Sequence, residues 1–252
     1  MITFMETEGL FSTNFQDNFN KYFPFLMELR KRLLFTITIF LISGFIGFFY
    51  YEKIINTILS MLNFKGVNVV FTSPFQFFTL AINSGILAGV LGAFPLILIQ
   101  IISFIKPALT KKEYKTILFL IPITIILFVI GFLYGVAIMK YIVAIFYQKS
   151  VELNIGNLLD INLLLSKIIL TSTLMGVSFQ FPIVMTVLMR LKVIRYKDFI
   201  RQRLLAYSIA IIFAAFLPPT DILSLAFLTL PLVMLFEITL ILNKAILKSH
   251  IL

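Results

Sequence analysis

The sequence predicts an all-α integral membrane protein with six transmembrane helices, and three observations support that fold class. First, 60% of the 252 residues are hydrophobic and only 13% are charged, against about 25% in soluble domains. Second, the mean hydropathy is +1.06, and several uncharged runs are long enough to cross a bilayer. Third, Lys and Arg are concentrated in alternate loops between those runs. The chain has no Cys, which excludes disulfides and thiol chemistry.

The N-terminal segment leads into the first span. Residues 1–24 are polar and mixed, without the short apolar core and cleavage site of a secretory signal, so we expect a mobile tail. Three consecutive cations at residues 30–32 then precede an uncharged run over residues 33–51. As a helix, this run crosses a hydrocarbon core of about 30 Å. We therefore expect the first span at 33–51, with the three cations on the cytoplasmic side.

The second span must be shorter than the uncharged stretch in which it lies. Residues 66–105 carry no charge and are too many for one crossing. Ser73-Pro74 is typical of a helix start, with a capping hydroxyl followed by Pro at the first helical position. We expect the span at 74–105, preceded by an outer loop with Glu52, Lys53 and Lys65, and a kink at Pro95.

The third span is expected at 116–139. Pro122 lies near its start, and Gly131 and Gly135 are four residues apart on one face. That spacing predicts a close approach of another helix.

Three further spans complete the predicted bundle, at 161–189, 204–217 and 222–243. The fifth would be only about 21 Å long as a helix, which is too short for an undistorted bilayer. Residues 25–245 would form one six-helix domain, and residues 246–252 a short C-terminal tail.

The distribution of cations predicts the orientation. Sixteen of the 21 Lys and Arg fall in the N-terminal segment, the second and fourth loops and the C-terminal tail, whereas four fall in the first and third loops. The remaining cation, Lys167, lies inside the fourth span near its outer end, where its side chain can snorkel. Both termini are therefore predicted on the cytoplasmic side, or on the stromal or matrix side in an organelle. Topology also explains the net charge of +10 without a nucleic-acid partner.

Residues with catalytic or metal-binding patterns are missing from the sequence. It contains no Ser/His/Asp set, phosphate-binding glycine loop or metal-ligand cluster, and its single His is His250. We therefore expect neither an enzyme nor a cofactor. The candidate functional residues are a few acids and amides.

Two acids on the predicted cytoplasmic side would suit a cationic ligand. Glu28 and Arg32 are four residues apart, which also fits a local ion pair. Glu113 lies in an otherwise basic loop and also fits an ordinary solvated charge. Because a carboxylate accepts a guanidinium through two hydrogen bonds, the two acids together could engage two arginines.

Three polar residues lie in or beside the later spans. Gln180 fits either a hydrogen bond between helices or a contact with a partner helix. Asp221 fits an N-cap of the sixth helix. Glu237 lies well inside the last span, where an ionisable group is a functional candidate.

The chain resembles the TatC family, the multispanning receptor subunit of the twin-arginine protein translocase, over about residues 25–245. The resemblance rests on six segments in order: Glu28-Leu29-Arg30-Lys31-Arg32-Leu33, Ser73-Pro74-Phe75, Phe104-Ile105-Lys106-Pro107-Ala108-Leu109 through Glu113, Gly176-Val177-Ser178-Phe179-Gln180-Phe181-Pro182, Pro218-Pro219-Thr220-Asp221 and Phe236-Glu237. It implies a kinked, cupped bundle with short fifth and sixth helices that thin the bilayer locally.

The resemblance also implies a site and its partners. The ligand would be the twin-arginine signal peptide of folded cargo, and the residues matching the family's binding motifs are Glu28, Arg30, Arg32, Phe104, Pro107, Leu109 and Glu113. Single-span subunits of the TatA/TatB type would bind along the outer helices, the complex would be oligomeric, and the proton gradient would drive transport.

Two departures from the family pattern concern Phe25, where many members have His, and Gln180, where many bacterial members have Glu. Gln cannot ionise, so a proton-carrying role for this position is excluded. The Gln form and the abundance of Lys, Ile, Phe and Asn favour a plastid thylakoid membrane, with bacterial or mitochondrial inner membranes as alternatives.

Two other classes of function remain open from the residues alone. A secondary transporter or proton-channel subunit would use Glu237, Gln180 and Asp221 as a relay inside one closed pathway. A purely structural assembly subunit would tolerate the loss of either Glu28 or Glu113.

Overall fold

The computed structural model describes residues 3–62, 68–70, 72–105, 111–153, 158–190 and 193–248. Within these ranges the chain forms nine helices and two short strands. In chain order they are α1 (Thr3–Phe49), α2 (Tyr51–Leu62), β1 (Asn68–Val70), α3 (Gln76–Ile105), α4 (Lys111–Glu152), β2 (Leu158–Asp160), α5 (Ile161–Ser178), α6 (Phe181–Arg190), α7 (Tyr196–Arg201), α8 (Arg203–Phe216) and α9 (Ile222–Lys248).

The described helices confirm the all-α membrane fold. Five helical segments are long and apolar enough to cross a membrane: Leu26–Phe49, Gln76–Ile97, Leu118–Glu152, Ile161–Arg190 and Ile222–Lys244. The fifth predicted span coincides with α8, an apolar helix of 14 residues. Every predicted span thus overlaps a helix, and the fifth is short as expected. The orientation of the termini stays a prediction.

The first outer loop was predicted wrongly, because Tyr51–Leu62 forms the helix α2. Its apolar residues Ile55, Ile58 and Leu62 recur at helical spacing and are buried in a cluster with residues of α3, α4 and α5. Lys140 of α4 donates a hydrogen bond of 3.1 Å from Nζ to the Met61 carbonyl oxygen. The cation thereby satisfies one of the carbonyls at the C-terminal end of α2.

Three helices extend beyond the spans expected from charge. The third span was expected to end at Met139, but α4 continues to Glu152. Its continuation is held by packing, because Ile142 and Val143 are buried, and Lys140 is engaged with α2. The sixth helix is not short, since α9 has 27 residues. At the other end of the chain, α1 begins at Thr3, and the mobility of residues 1–24 stays a prediction.

The fourth span is divided between α5 and α6 at Phe179 and Gln180. Pro182 explains the interruption, because it has no N–H for the Ser178 carbonyl oxygen and its ring crowds the preceding turn. By contrast, Pro95 lies inside the continuous helix α3.

The predicted close contact at Gly131 and Gly135 is confirmed. A Cβ atom added at Gly135 would lie 2.5 Å from the Ser172 Cα of α5, and one added at Gly131 would lie 2.7 Å from the Met175 carbonyl oxygen. Only glycine allows α4 and α5 to pack at this distance.

A two-stranded parallel sheet joins the two loops at one end of the bundle. Asn68–Val70 of β1 pairs with Leu158–Asp160 of β2, with Val70 opposite Asp160. The pairing brings the segment before α3 next to the start of α5.

Candidate functional site

The acid and the cation predicted at the start of the first span form an ion pair. Arg32 donates from Nη2 and Nε to one oxygen of Glu28, Oε1, at 2.5 and 3.1 Å. The Glu28 side chain is 48% exposed and the Arg32 side chain 22%. The local ion pair expected from the spacing is therefore present.

Arg32 also connects α1 to the last turns of α3. It donates from Nη1 to the Gln100 carbonyl oxygen at 2.7 Å, and from Nη2 to the Ser103 hydroxyl at 3.4 Å. One turn further along α1, the Thr36 hydroxyl donates to the Gln100 side-chain oxygen at 2.8 Å. These bonds fix the position of Arg32 against α3, and through it the position of the Glu28 carboxylate.

The second oxygen of Glu28 is not engaged by Arg32. Both bonds from Arg32 go to Oε1, and within the described part of the chain Oε2 accepts no hydrogen bond. Arg30 and Lys31 are exposed beside it. A carboxylate that is oriented by one guanidinium and keeps a second oxygen can accept a further cationic donor.

The other predicted binding residues lie on or around the connection between α3 and α4. Pro107 and Leu109, and the side chains of Phe104 and Glu113, lie outside the described residues. The backbone places Glu113 in the first turn of α4, which begins six residues after α3 ends at Ile105. That length of chain spans at most about 20 Å, so the start of α4 stays near the end of α3 that Arg32 contacts.

Gln180 bonds across the helix interface, as one of its two interpretations predicted. Its side-chain amide donates to the Gly176 carbonyl oxygen and to the Thr124 carbonyl oxygen of α4, each at 3.2 Å. The Gly176 carbonyl needs this donor because the Gln180 backbone N–H bonds to Val177 instead. The side-chain amide therefore supplies the hydrogen bond that the backbone lacks between α5 and α6. The Gln180 side-chain oxygen is buried without a partner among the described residues.

Asp221 is the N-cap of α9, also as expected. Its Oδ1 accepts from the Ser224 backbone N–H at 2.8 Å, and its Oδ2 accepts from the Ser224 hydroxyl. The Leu225 N–H donates to the Asp221 carbonyl oxygen at 2.9 Å, which starts the helix.

Glu237 has two partners on α8. Its Oε1 accepts a hydrogen bond of 2.5 Å from the Tyr207 hydroxyl, and its Oε2 lies 3.3 Å from Arg203 Nη2. The sequence offered no partner for Glu237, because Tyr207 and Arg203 are some thirty residues away and only the packing of α8 on α9 brings them together.

The relay required by a proton pathway is not assembled. Asp221 and Glu237 lie at opposite parts of α9, 16 residues and so about 24 Å apart along the helix. Gln180 and Tyr207 do line one apolar cavity of about 440 Å³, but Asp221 is not part of its wall. In the ranges that the structure describes, no group of His, Asp and Glu side chains is arranged to hold a metal.

Asp160 is a polar centre that sequence reasoning missed. Its Oδ1 accepts from the backbone N–H groups of Asn162 and Leu163 at 2.8 and 3.1 Å, and its Oδ2 accepts from the Thr72 hydroxyl and, at 2.7 Å, from the Gln76 amide. The bond from Thr72, followed by the other three, lowers the pKa of the carboxyl. An Asp directly before an apolar run was a signal for an N-cap, but its partners before α3 could not be inferred from spacing.

Comparisons with known proteins agree on one family. The family model described as Sec-independent protein translocase protein (TatC) matches residues 24–231. The Sec-independent protein translocase protein TatC of Listeria innocua is 31% identical over 219 residues, which cover 86% of this chain and 89% of the relative. TatCy of Bacillus subtilis is 30% identical over 226 residues and 87% of each chain. A crystal structure of the twin-arginine translocase receptor TatC in DDM superposes with a TM-score of 0.76 at 27% identity, covering 86% of this chain and 98% of that one.

Proposed function

The chain belongs to the TatC family of Sec-independent protein translocase proteins, and from this premise we propose that it is a receptor for twin-arginine signal peptides. It is an integral multi-pass membrane protein and a translocase component. We assign no catalytic reaction to it. The observation that supports the receptor role is the Glu28 carboxylate, which Arg32 holds through one oxygen and whose side chain is 48% exposed.

The recognition step follows from the chemistry of the carboxylate. A signal-peptide arginine would donate to Oε2 of Glu28, while Arg32 keeps the carboxylate in place through Oε1 and the Gln100 carbonyl oxygen. A second arginine of the peptide would bind Glu113. Phe104, Pro107 and Leu109 would form the adjoining surface, and Arg30 would border the site.

Two arginines are preferred over two lysines on this mechanism. A guanidinium offers several N–H donors in a fixed plane, whereas an ammonium is a strongly hydrated point charge. A carboxylate with one oxygen already occupied gains most from a donor whose direction is fixed.

The experiment is crosslinking of an Arg-Arg signal peptide to the full chain in nanodiscs, with a Lys-Lys peptide as the competitor. Glu28→Gln and Glu113→Gln should each lower crosslinking by about tenfold, since a hydrogen bond to a charged group contributes about 1.5–3 kcal/mol. Glu52→Gln is the matched control, because Glu52 is an exposed acid in α2, on the predicted opposite side. Equal crosslinking of both peptides to all variants would exclude the receptor role and would direct attention to ion flux through Glu237.

Partner subunits complete the proposed translocase. We infer that single-span subunits of the TatA/TatB type bind along the outer helices and that several copies of the chain assemble with them. Transport would be driven by the proton gradient. Asp221 and Glu237 have partners within the chain, and Gln180 is only 5% exposed. A partner helix would therefore reach the unpaired Gln180 oxygen only if the neighbouring helices moved apart.

We further propose a plastid thylakoid membrane as the location. The support is the composition of the chain and the Gln at position 180. Fractionation of the source cells with an antibody to the chain tests this, since recovery with a bacterial or mitochondrial inner membrane would exclude it.

A further inference from the structure

A groove of about 350 Å³ lies between the second half of α4 and the start of α5. The buried side chains of Ile142 and Val143 on α4 form part of its apolar wall, and Leu164 contributes from α5. This is the end of the bundle that carries the β1–β2 pair, since Asp160 of β2 also lines the groove. It is therefore at the opposite end of α4 from Glu113, and separate from the signal-peptide site.

One cation in the groove has no counter-charge in the described part of the chain. Lys167 is exposed on α5, and among the described residues its ammonium makes no hydrogen bond or ion pair. Asp160 lines the same groove but does not pair with Lys167, because its oxygens are occupied by Thr72, Gln76 and the first N–H groups of α5. A cation inside an apolar span is costly unless an anion or water meets it.

The depth of Lys167 matches the boundary between hydrocarbon and headgroups. It is the seventh residue of α5, so its Cα lies about 9 Å along the helix from the start. A lysine stem can carry the ammonium back to the interface from this depth. Tyr147 lines the groove as well, and so does Ser150, whose hydroxyl donates to the Phe146 carbonyl oxygen at 3.1 Å.

The chemistry of the groove favours a lipid as its occupant. Its lining is mostly apolar and includes the Lys167 ammonium, which matches a molecule with one long hydrocarbon chain and an anionic headgroup. We propose that this groove binds one acyl chain of an anionic phospholipid from the leaflet opposite the chain termini, with the headgroup phosphate on the Lys167 ammonium.

Native mass spectrometry of the full chain, released from nanodiscs of equal phosphatidylglycerol and phosphatidylcholine, tests the site. The wild type should retain phosphatidylglycerol in preference to phosphatidylcholine, and Lys167→Gln should lower that preference about fivefold, as expected for one cation near a membrane surface. The matched control is Lys149→Gln, because Lys149 is an exposed cation at the same end of α4 that is already paired with Glu152 at 2.6 Å. This control should keep the wild-type preference.

A second variant tests the groove without changing charge. Leu163 lines the groove and is 58% exposed, so Leu163→Trp should fill the space, leave folding intact and lower retention of phosphatidylglycerol. Equal retention in the wild type, Lys167→Gln and Leu163→Trp would overturn the proposal. An equal loss in Lys149→Gln and Lys167→Gln would also overturn it, since general surface charge would then explain the binding.

A protein occupant is the remaining rival, and it gives a different result. If Lys167 instead met an acid of a single-span subunit, Lys167→Gln would release that subunit in phosphatidylcholine nanodiscs and leave phosphatidylglycerol retention unchanged. That result would overturn the lipid site. Crosslinking of the signal peptide does not depend on Lys167, so failure here and failure of the receptor role are measured separately.

Discussion

Arg32 bonds to the carbonyl oxygen of Gln100 at 2.7 Å while holding Glu28 through the same guanidinium. One side chain thus joins the first helix to the end of the second crossing helix and orients an exposed acid. The bond also shows why a cation follows the acid by one helical turn, since Glu28 alone would not be fixed relative to α3.

Replacing Arg32 by Gln should therefore weaken both the fold and ligand binding. Loss of its bonds to Glu28 and Gln100 should cost about 1–2 kcal/mol, after allowance for the exposure of Glu28, and should lower Tm by roughly 3–6 °C. Tm in nanodiscs and crosslinking of the signal peptide measure the two effects. Lys31→Gln is the Tm control, because Lys31 is the adjacent exposed cation. An unchanged Tm in Arg32→Gln would contradict the structural role of Arg32.

Glu237 should prove to be a structural residue. Glu237→Gln removes the ion pair with Arg203, which spans 3.3 Å between partly exposed side chains, but keeps an oxygen that can accept from Tyr207. We expect a stability loss of less than about 1 kcal/mol and protein transport within about twofold of the wild type. Transport of a twin-arginine cargo into vesicles is the measurement.

Tyr207→Phe is the companion to that variant, because it removes the hydrogen bond to Glu237 and leaves the ion pair in place. It should cost about 1 kcal/mol and should also spare transport. Abolished transport in Glu237→Gln, with Tyr207→Phe active, would favour the proton-pathway function instead.

The contact between α4 and α5 should not tolerate a side chain at Gly135. Gly135→Ala would place a Cβ 2.5 Å from the Ser172 Cα. Because the Cβ is fixed to the backbone of α4 and the Cα is part of the backbone of α5, the helices would have to separate. We expect a loss of about 1–3 kcal/mol, seen as a lower Tm in nanodiscs. Ala137→Leu, two residues away at an exposed position, should leave Tm unchanged, and equal Tm values for the two variants would refute this packing argument.

Sequence reasoning succeeded wherever one local signal decided the outcome. The proline at position 218, the acid at 221 and the following apolar run were enough to predict the N-cap of α9, and the Gly131 and Gly135 spacing predicted a close helix pair. It failed where residues far apart in the sequence decided the structure. Charges at Glu52 and Lys53 suggested a loop, but the apolar face of α2 is buried by helices that follow much later.

The same distinction explains which contacts of the candidate site could be predicted from the sequence. The spacing of Glu28 and Arg32 predicted their ion pair, but not the bond from Arg32 to Gln100, which joins residues 68 positions apart. Gln180 similarly bonds to Thr124 across 56 positions. Such partners depend on how helices pack, and hydropathy and charge along a single sequence do not encode the packing directly.

Asp160 should hold β1, β2 and the start of α3 together at every pH above its lowered folded-state pKa. Because hydrogen bonds lower its folded-state pKa, its stabilising effect is present above the ordinary carboxyl value of about 4 and is lost as pH falls through the lower folded value. The protection factors for hydrogen exchange at residues 68–80 and 158–165, which are corrected for the pH dependence of the intrinsic rate, should therefore be equal at pH 7 and pH 5. Asp160→Asn should speed exchange there at both values, because an amide keeps one acceptor oxygen for the N-cap but presents N–H donors toward Gln76 and Thr72.

Glu52→Gln, which alters an exposed acid outside this cluster, is the matched control and should leave exchange in these segments unchanged. Wild-type protection that weakens between pH 7 and pH 5 would show that Asp160 is not the group that holds the segments together.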